Sequence, residues 1–375
     1  MDQQQEAINA MALARMGFYH MAAIIELVNR LGSATEVLAQ TAHLSELIPD
    51  ASPRFLSSLA DPTAALRRAE QEYAWALQHH VSVLVYGATD YPSRLLHCPD
   101  APLVLYYMGS ADLNTARVIN VVGTRRCTTY GQDLIRHLMA DLRSLCPDIL
   151  VASGLAYGID ICAHREALAQ GLDTVAVLAH GLDDLYPAAH RSTAVEMVSH
   201  GGLLTEFTTH TKADKMNFVR RNRIVAGMAD ATVLVESAAK GGGLITCEIA
   251  QNYGRDVFAF PGSVMADESR GCNNLIRDNG AALITGASDL LAAMNWNDLQ
   301  VRQAAQQGIE RQLFPDLSDE EQLIVDTLTA TNDLQVNLIT VKTGLPVARI
   351  MALLFTLEMK GIVKSLAGGM YHLLK

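Results

Sequence analysis

The sequence predicts an α/β fold built around a parallel sheet, because short apolar strands alternate with helices along its middle part. The β-branched run 118–122 meets Gly123-Thr124-Arg125 and is followed by a helical pattern over 130–146. The next unit repeats this order, with an apolar run at 149–152, a turn over 153–158 and a second helix. Strands that alternate with helices of about 10 to 15 residues indicate a parallel sheet covered on both faces.

The alternation extends over residues 81–296, which we predict to form one extended Rossmann-like domain. Two early runs, 81–85 and 101–106, are interpreted as an N-terminal extension of the sheet, with prolines that mark its edges. The pattern indicates about seven strands in this single large domain. The strands that follow the opening unit are predicted at 174–178, 202–206, 231–236, 257–260 and 281–284.

Residues 1–75 are predicted to form a small helical domain. Periodic apolar segments at 7–16, 21–31 and 35–40 are separated by Gly17 and by Gly32-Ser33, a helix stop followed by a new cap. This helix–glycine–helix rhythm is similar to helix-hairpin-helix and SAM-like modules. The segment holds 5 Lys and Arg against 9 Asp and Glu, so a role in packing or protein contact is favoured over nucleic-acid binding.

The C-terminal part is predicted to contain a linker, 297–316, and a winged-helix domain, 317–375. The linker is rich in glutamine and has little apolar periodicity. Ser318 and Glu321 have the spacing of a capping box at the start of three predicted helices, and a hairpin follows the third. The expected recognition helix carries mainly Arg349 and Lys360 among apolar residues, so partner docking fits it at least as well as duplex binding.

Composition limits the class of protein. The chain has 375 residues, half of them hydrophobic, which favours two or three domains with ample cores. Its formal net charge of −11 argues against a surface covered with basic residues that would bind duplex DNA or a membrane, so any nucleic-acid site must be local. Six cysteines without a C-x-x-C pair, and no signal peptide or long apolar run, predict reduced thiols in a cytoplasmic protein.

Glycine-rich turns follow three of the predicted strands, at Gly123, at Ser153-Gly154 and at Gly241-Gly242-Gly243. A turn at the start of a helix lets backbone N–H groups approach a phosphate closely. The guanidinium group of Arg125 can donate two hydrogen bonds to the same anion. Neither the usual dinucleotide fingerprint nor the P-loop is present. A tight turn with no ligand remains the alternative interpretation.

The densest basic cluster, 212–223, reverses the sign of the chain's net charge locally, with five cations against one acid. On a helix, Phe218 and Asn222 share one face, and Arg220 and Arg223 share a neighbouring one. An aromatic ring among guanidinium groups suits a single strand, because phosphates meet the cations and a base meets the ring. A solvated helix face with Phe218 in the core is the other interpretation.

The sequence offers little for metal or hydrolytic chemistry. Asp160 and His164 are one helical turn apart, but no third ligand has metal spacing, and we predict neither a metal nor a cofactor. A triad of Ser153, His164 and Asp160 is conceivable, although Ser153 is not in a nucleophile elbow. Asp160 and His164 more simply fix the helix after Gly158.

Taken together, the motifs resemble those of the DNA-processing protein A (DprA/Smf) family. The resemblance covers the whole α/β domain in order, and the flanking domains match the family's three-part layout. The residues that carry it are Val121–Arg125, Ser153–Asp160 with Ala163-His164, Val177–Asp183 leading to Tyr186-Pro187, Phe218–Ile224, Leu244–Thr246, Pro261-Gly262 and Gly271–Ile276.

The resemblance implies a single-stranded DNA-binding recombination mediator that protects incoming DNA and loads RecA during natural transformation. It implies a homodimer and no enzymatic activity. The family usually has Ser-Gly-Ser where this chain has Gly241–Gly243, so only backbone N–H groups of Gly242 and Gly243 remain for a phosphate there. The remaining strand-binding residues that it implies are Gly123, Thr124, Arg125, Ser153, Gly154, Lys215, Phe218, Asn222 and Arg223.

An enzyme is the alternative function. The stretch Gly241–Glu248 is also similar to the glycine-rich motif of nucleoside-monophosphate phosphoribohydrolases, in which Glu248 would act on a ribosyl bond. That family lacks the terminal domains and the Phe-x-x-Arg-Asn-Arg stretch of this chain. Free base released from nucleoside monophosphates would distinguish the enzyme from the binding protein.

Overall fold

The structure is a computed structural model that describes residues 2–48, 52–296, 317–332, 334–360, 362–366 and 369–373. It divides into two compact units, Met1–Asn297 and Asp298–Lys375. The predicted linker, 297–316, lies outside the described residues. The first unit contains both the helical segment and the α/β segment, and the predicted boundary between them stays a prediction.

Six helices precede the sheet, and their ends follow the local sequence signals. Gly32 ends the second helix with φ of 94°, a left-handed conformation that glycine adopts without strain, and Ser33 then caps the third by accepting a hydrogen bond from Glu36 N. These helices share a buried core with Leu103 and Tyr106 of the sheet. They are α1 (Gln3–Met16), α2 (Met21–Leu31), α3 (Ala34–Ala39), α4 (Leu44–Leu47), α5 (Pro53–Leu59) and α6 (Thr63–Gln78).

The central sheet has nine strands, more than the approximately seven that the alternation indicates. Its order is β1-β2-β6-β5-β4-β3-β7-β8-β9, and all neighbours are parallel except the pairs β1–β2 and β2–β6. The strands are β1 (Ser82–Val85), β2 (Val104–Gly109), β3 (Val118–Val122), β4 (Leu150–Ser153), β5 (Thr174–Val177), β6 (Gly201–Thr205), β7 (Ala231–Leu234), β8 (Asp256–Ala259) and β9 (Ala282–Leu283).

Helices cover both faces of the sheet, as the alternation predicts. In β3, Val118 and Val122 pack in one buried cluster, whereas Ile119 and Val121 pack in another on the opposite face. Each fully buried side chain of this size stabilises the fold by roughly 1.5–3 kcal/mol. The covering helices are α7 (Thr129–Leu145), α8 (Ile159–Ala169), α9 (Arg191–Ser199), α10 (Lys215–Gly227), α11 (Gly242–Asn252), α12 (Arg270–Arg277) and α13 (Ala287–Ala293).

The strand order places the three glycine-rich turns together. They follow β4, β3 and β7, which are neighbours in the sheet. Strands β4, β5 and β6 follow β3 in order on one side of the sheet. After α10, strands β7, β8 and β9 follow in order on the other side of β3. Ligands of open α/β sheets bind in the crevice at the carboxyl ends of the strands where the order reverses. The turns therefore meet at such a switch point.

The second unit is a winged helix, as predicted. Ser318 and Glu321 form the capping box at the start of the first helix. The wing is a three-stranded sheet rather than a simple hairpin, because β10 pairs with β12 as β11 does. Its elements are α14 (Asp319–Ala330), β10 (Leu334–Gln335), α15 (Val336–Thr343), α16 (Val347–Met359), β11 (Val363–Leu366) and β12 (Met370–Leu373). Across the described ranges, no single helix is long and apolar enough to cross a bilayer.

Candidate nucleic-acid interface

A cavity of about 650 Å³ opens where the three glycine-rich turns meet. Nine of the eleven predicted strand-binding residues line it, and they come from four separate segments of the chain. They are Gly123, Thr124, Arg125, Gly154, Lys215, Phe218, Asn222, Gly242 and Gly243.

The turn after β3 is fixed by its neighbours, and it presents Arg125 to solvent. Thr124 N donates to Glu236 O at 2.8 Å, and Ile159 N donates to Thr124 O at 3.1 Å. At Gly123 a Cβ atom would lie 2.5 Å from the side chain of Ile159, so no larger residue fits. The backbone of the turn is therefore held in place while the Arg125 side chain stays available.

The turn after β4 covers a buried guanidinium group. Arg221 is 3% exposed, and its Nη1 donates to Gly154 O at 2.7 Å and also to Val177 O. A Cβ atom on Gly154 would lie 2.4 Å from that Nη1, so this position has to be glycine. Burial lowers the pKa of Arg221 to about 10, and Asp160 opposes the shift. Arg221 thus places a positive charge beneath the floor of the cavity.

Asp160 is an acidic group near these cations, and it lines the cavity, as Asp214 does. Burial raises the pKa of its carboxyl above the ordinary value, while Arg221, the Ala156 N–H and Arg125 act in the opposite direction. Its Oδ2 accepts a hydrogen bond from Ala156 N at 3.4 Å. This bond supports the capping role predicted for Asp160.

Phe218 lies close to two guanidinium groups. The Cζ atoms of Arg125 and Arg221 are 5.0 Å and 5.9 Å from the centre of its ring, and Tyr186 packs edge-on at 5.9 Å. The ring is half-buried and lines the cavity, so the interpretation of Phe218 as an ordinary core residue is not favoured. Contacts with cations on a ring stabilise it by roughly 0.5–2 kcal/mol.

Two helices begin at the cavity, α8 after Gly158 and α11 after Gly241. At the start of α8, Ile159 N already donates to Thr124 O, and Asp160 lies in the first turn. The start of α11 has no side-chain cap, so its first N–H groups and the helix dipole favour an anion there. Gly243 packs against Gly123, with 3.1 Å from its Cβ position to Gly123 Cα, whereas nothing lies within 4 Å at Gly242. The two glycine turns therefore pack directly on each other at Gly243, which is buried, while Gly242 stays exposed to a ligand.

The basic cluster does not act as a single surface, because its cations point in different directions. Lys215 and Asn222 line the cavity. Arg223 lies on another side of α10, where it is 8% exposed and its Nη2 donates to Glu206 Oε2 at 2.5 Å. Arg220 donates to the same carboxylate at 3.2 Å, so the two arginines share a face as the helical spacing predicts. Arg223 therefore belongs to a buried ion pair and not to the cavity, unlike the strand-binding role that the resemblance implies.

Ser153, the other predicted residue outside the cavity, is fully buried. Its Oγ donates to Val121 O at 2.6 Å, which joins the ends of two neighbouring strands. His164 is also buried, and its Nδ1 contacts Thr174 Oγ1 at 2.7 Å. The conceivable triad with Asp160 is therefore not assembled. Among the residues that the structure describes, no group of three His, Cys, Asp or Glu could hold a metal ion.

Two residues outside the predicted strand-binding set complete the cavity. Arg221 forms its floor and Tyr186 supports Phe218. Helical spacing gives a signal for Arg221, because it lies three residues after Phe218 on the same face. Tyr186 belongs to the Tyr186-Pro187 motif of the family resemblance, but no spacing rule places this loop residue after β5 beside Phe218.

The N-terminus of α7 lies beside the cavity and is already occupied by a carboxylate. Glu236, 2% exposed, accepts hydrogen bonds from Thr128 N at 2.9 Å and Thr128 Oγ1 at 2.5 Å. Glu248, on which the enzyme alternative depends, is exposed and lines a separate depression with Gln251 and Asp278. It is not among the residues around the glycine turns, so the enzyme is not favoured.

Comparisons with known proteins agree with this architecture. Residues 82–295 match the family model described as DNA recombination-mediator protein A, and residues 310–369 match the model of the DprA winged helix domain. The DNA processing protein DprA of Streptococcus pneumoniae is 39% identical over 202 residues, which cover 54% of this chain and 70% of that protein. Protein Smf of Escherichia coli is 30% identical over 307 residues, covering 81% and 80%.

Two solved structures are also similar. The X-ray structure of DprA from Streptococcus pneumoniae has a TM-score of 0.57 and 32% identity, covering 68% of this chain and 91% of that one. DNA processing protein A from Helicobacter pylori, solved to show its single-stranded DNA binding mode, has a TM-score of 0.52 and 26% identity, covering 57% and 95%. The protein described here belongs to the DNA-processing protein A (DprA/Smf) family.

Proposed function

We propose that this protein binds single-stranded DNA in the cavity at the carboxyl edge of the sheet. The observation that carries the proposal is the arrangement around Phe218, where an accessible ring lies close to two guanidinium groups in the same cavity as the uncapped N-terminus of α11. Phosphates meet Arg125, Lys215 and backbone N–H groups, and a base meets the ring. The Helicobacter pylori relative, whose structure concerns single-stranded DNA binding, supports it.

Binding without marked sequence preference is part of this proposal. The contacts offered are backbone N–H groups, two exposed cations and a ring face, and each of these recognises features common to all nucleotides. A duplex does not present its bases to a ring, because they are stacked and paired. Single strands are therefore preferred over duplex.

We further propose that the protein acts in the cytoplasm as a homodimeric mediator that protects incoming DNA and loads RecA during natural transformation. Membership of a family of DNA recombination mediators supports this role. For the dimer, the α/β domain ends in the edge strand β9, where Leu283 is 49% exposed. Such a strand has an unpaired edge that a second copy can cover.

A gel-shift series with single-stranded and blunt duplex oligonucleotides of the same sequence tests the binding proposal. At about 50 mM and about 200 mM salt we expect tighter binding to the single strand and a weakening with salt. Equal or tighter binding to the duplex would contradict the proposal. RecA loading is tested separately, by the ability of the protein to start RecA filaments on strands covered with single-strand-binding protein.

A further inference from the structure

A second cavity, of about 500 Å³, adjoins the first at the N-terminus of α10. Asp214, the N-cap of that helix, lines both cavities. Lys215, Phe218 and Asn222 face the first, while Asn217 lines the second. The two cavities therefore share a border at the beginning of one helix.

The second cavity is bordered by an aromatic ring that has no structural role of its own. Tyr19 is 86% exposed and touches Phe18 edge-on, with 5.3 Å between the ring centres. Phe18 is fixed, because Arg220 lies 3.5 Å from its ring centre and donates to Phe18 O at 2.6 Å. Tyr19 thus stands on a rigid support with its ring in solvent, where it gains little from burial.

The charges along this path suit a polyanion. Arg15 lines the second cavity, and Lys212 and Lys215, both exposed, stand on either side of the junction at Asp214. The nearby carboxylate of Glu206 is neutralised by its ion pairs with Arg220 and Arg223. Among the residues that line the two cavities, the exposed cations Arg15, Arg125 and Lys215 outnumber the one exposed acid, Asp214, whose carboxylate caps α10 by accepting from Asn217 N.

We propose that the single strand continues from the first cavity around the N-terminus of α10 into the second, where a base stacks on Tyr19 and a phosphate meets Arg15. This inference rests on the proposed function and assigns part of the strand path to the N-terminal helices. Aromatic platforms in a groove with positive charge are how proteins hold single strands without reading their sequence. Arg15, in α1, supplies the positive charge, and Tyr19, in the turn after α1, supplies the aromatic ring.

The test compares full-length wild type with Tyr19→Ala and with Tyr19→Phe, which keeps the ring. Binding of fluorescein-labelled oligothymidylates is measured by anisotropy, with one strand of about 5 nucleotides that fills only the first cavity and one of about 20 that reaches both. We expect Tyr19→Ala to weaken binding of the long strand by roughly 5- to 150-fold, as for one stacked base, and to leave the short strand unchanged. Tyr19→Phe should bind both strands like the wild type.

Arg125→Ala separates this inference from the proposed function, because it should weaken binding of both lengths. If the wild type binds and Arg125→Ala weakens binding, but Tyr19→Ala binds the long strand normally, then only the extended path is refuted. Equal losses on both lengths for Tyr19→Ala would also refute it. Loss of RecA binding by Tyr19→Ala, with strand binding intact, would instead make this a protein-docking surface and overturn the inference. A wild type that binds no single strand would refute both proposals.

Discussion

Replacing Arg125 by alanine should change the salt dependence of strand binding by the amount due to one phosphate contact. Each phosphate neutralised on a single strand contributes roughly −0.7 to the slope of log K against log[salt]. The exposed cations of the first cavity are Arg125 and Lys215, so this cavity contributes about −1.4, and Arg125→Ala should reduce that to about −0.7. Between about 50 and 200 mM salt, the Kd of the variant should therefore rise about 2.6-fold less than that of the wild type.

The affinity at low salt should also fall, by about tenfold or more, because a hydrogen bond to a charged group is lost. Part of that loss has another origin, since Arg125 also packs over Phe218 at 5.0 Å. The slope is the more specific measurement, because the packing contact releases no counterions. Anisotropy titrations of a labelled single strand at four salt concentrations give both quantities.

Arg126→Ala is the matched control. Arg126 is adjacent and exposed, and it carries the same charge, but it does not line the cavity. Its backbone N–H, which donates to Thr124 Oγ1 at 3.1 Å, is kept in the variant. If both variants flatten the slope equally, a general loss of charge is responsible. If neither does, Arg125 does not contact a phosphate, and the reasoning about the first turn is wrong.

Three further predictions concern stacking, packing and pH. Phe218→Ala should lose roughly 1–3 kcal/mol of strand binding with the salt slope unchanged, and an altered slope in the same titrations would contradict a stacking role. Gly243→Ser should lower the melting temperature, because its Cβ would lie 2.8 Å from a Leu234 methyl group. Gly242→Ser is the control, since nothing lies within 4 Å of that position, and equal melting temperatures of the two variants would refute the prediction. Burial lowers the pKa of His164 from 6.5 to about 3, so between these pH values only the unfolded chain is protonated there. The free energy of unfolding should then fall by up to about 1.4 kcal/mol per pH unit as pH decreases from 6.5, and His164→Gln, compared by urea unfolding at several pH values, should show a smaller fall.

The sequence was sufficient to predict the sheet and the meeting of its turns, because both depend on local patterns. The β-branched run in β3 specifies a buried strand. A glycine directly after such a strand lies at the carboxyl edge of the sheet, independently of the rest of the sequence. Phe218 and Asn222 were placed correctly on one face by the helical repeat alone. The family motifs then indicated the same region as the turns.

Side-chain partners that are distant in sequence could not be predicted. Arg223 follows the same helical repeat, yet its Glu206 partner is 17 residues away, and only the packing of α10 shows that this side is buried. Arg221 reaches Gly154 across 67 residues, through a space that exists because that glycine has no Cβ. Periodicity shows which side chains share a face, but not which face the fold covers.

The buried carboxylate of Glu236 gives the edge of the sheet a polarity. It satisfies the start of α7 from within the protein, so an external anion meets a repulsive potential there, whereas the start of α11 has no side-chain cap and attracts an anion. The neighbouring cavity on that side is lined by Glu236 and Glu268 and by neither lysine nor arginine. The negative charges of Glu236 and Glu268 therefore disfavour a polyanion on this side of the site.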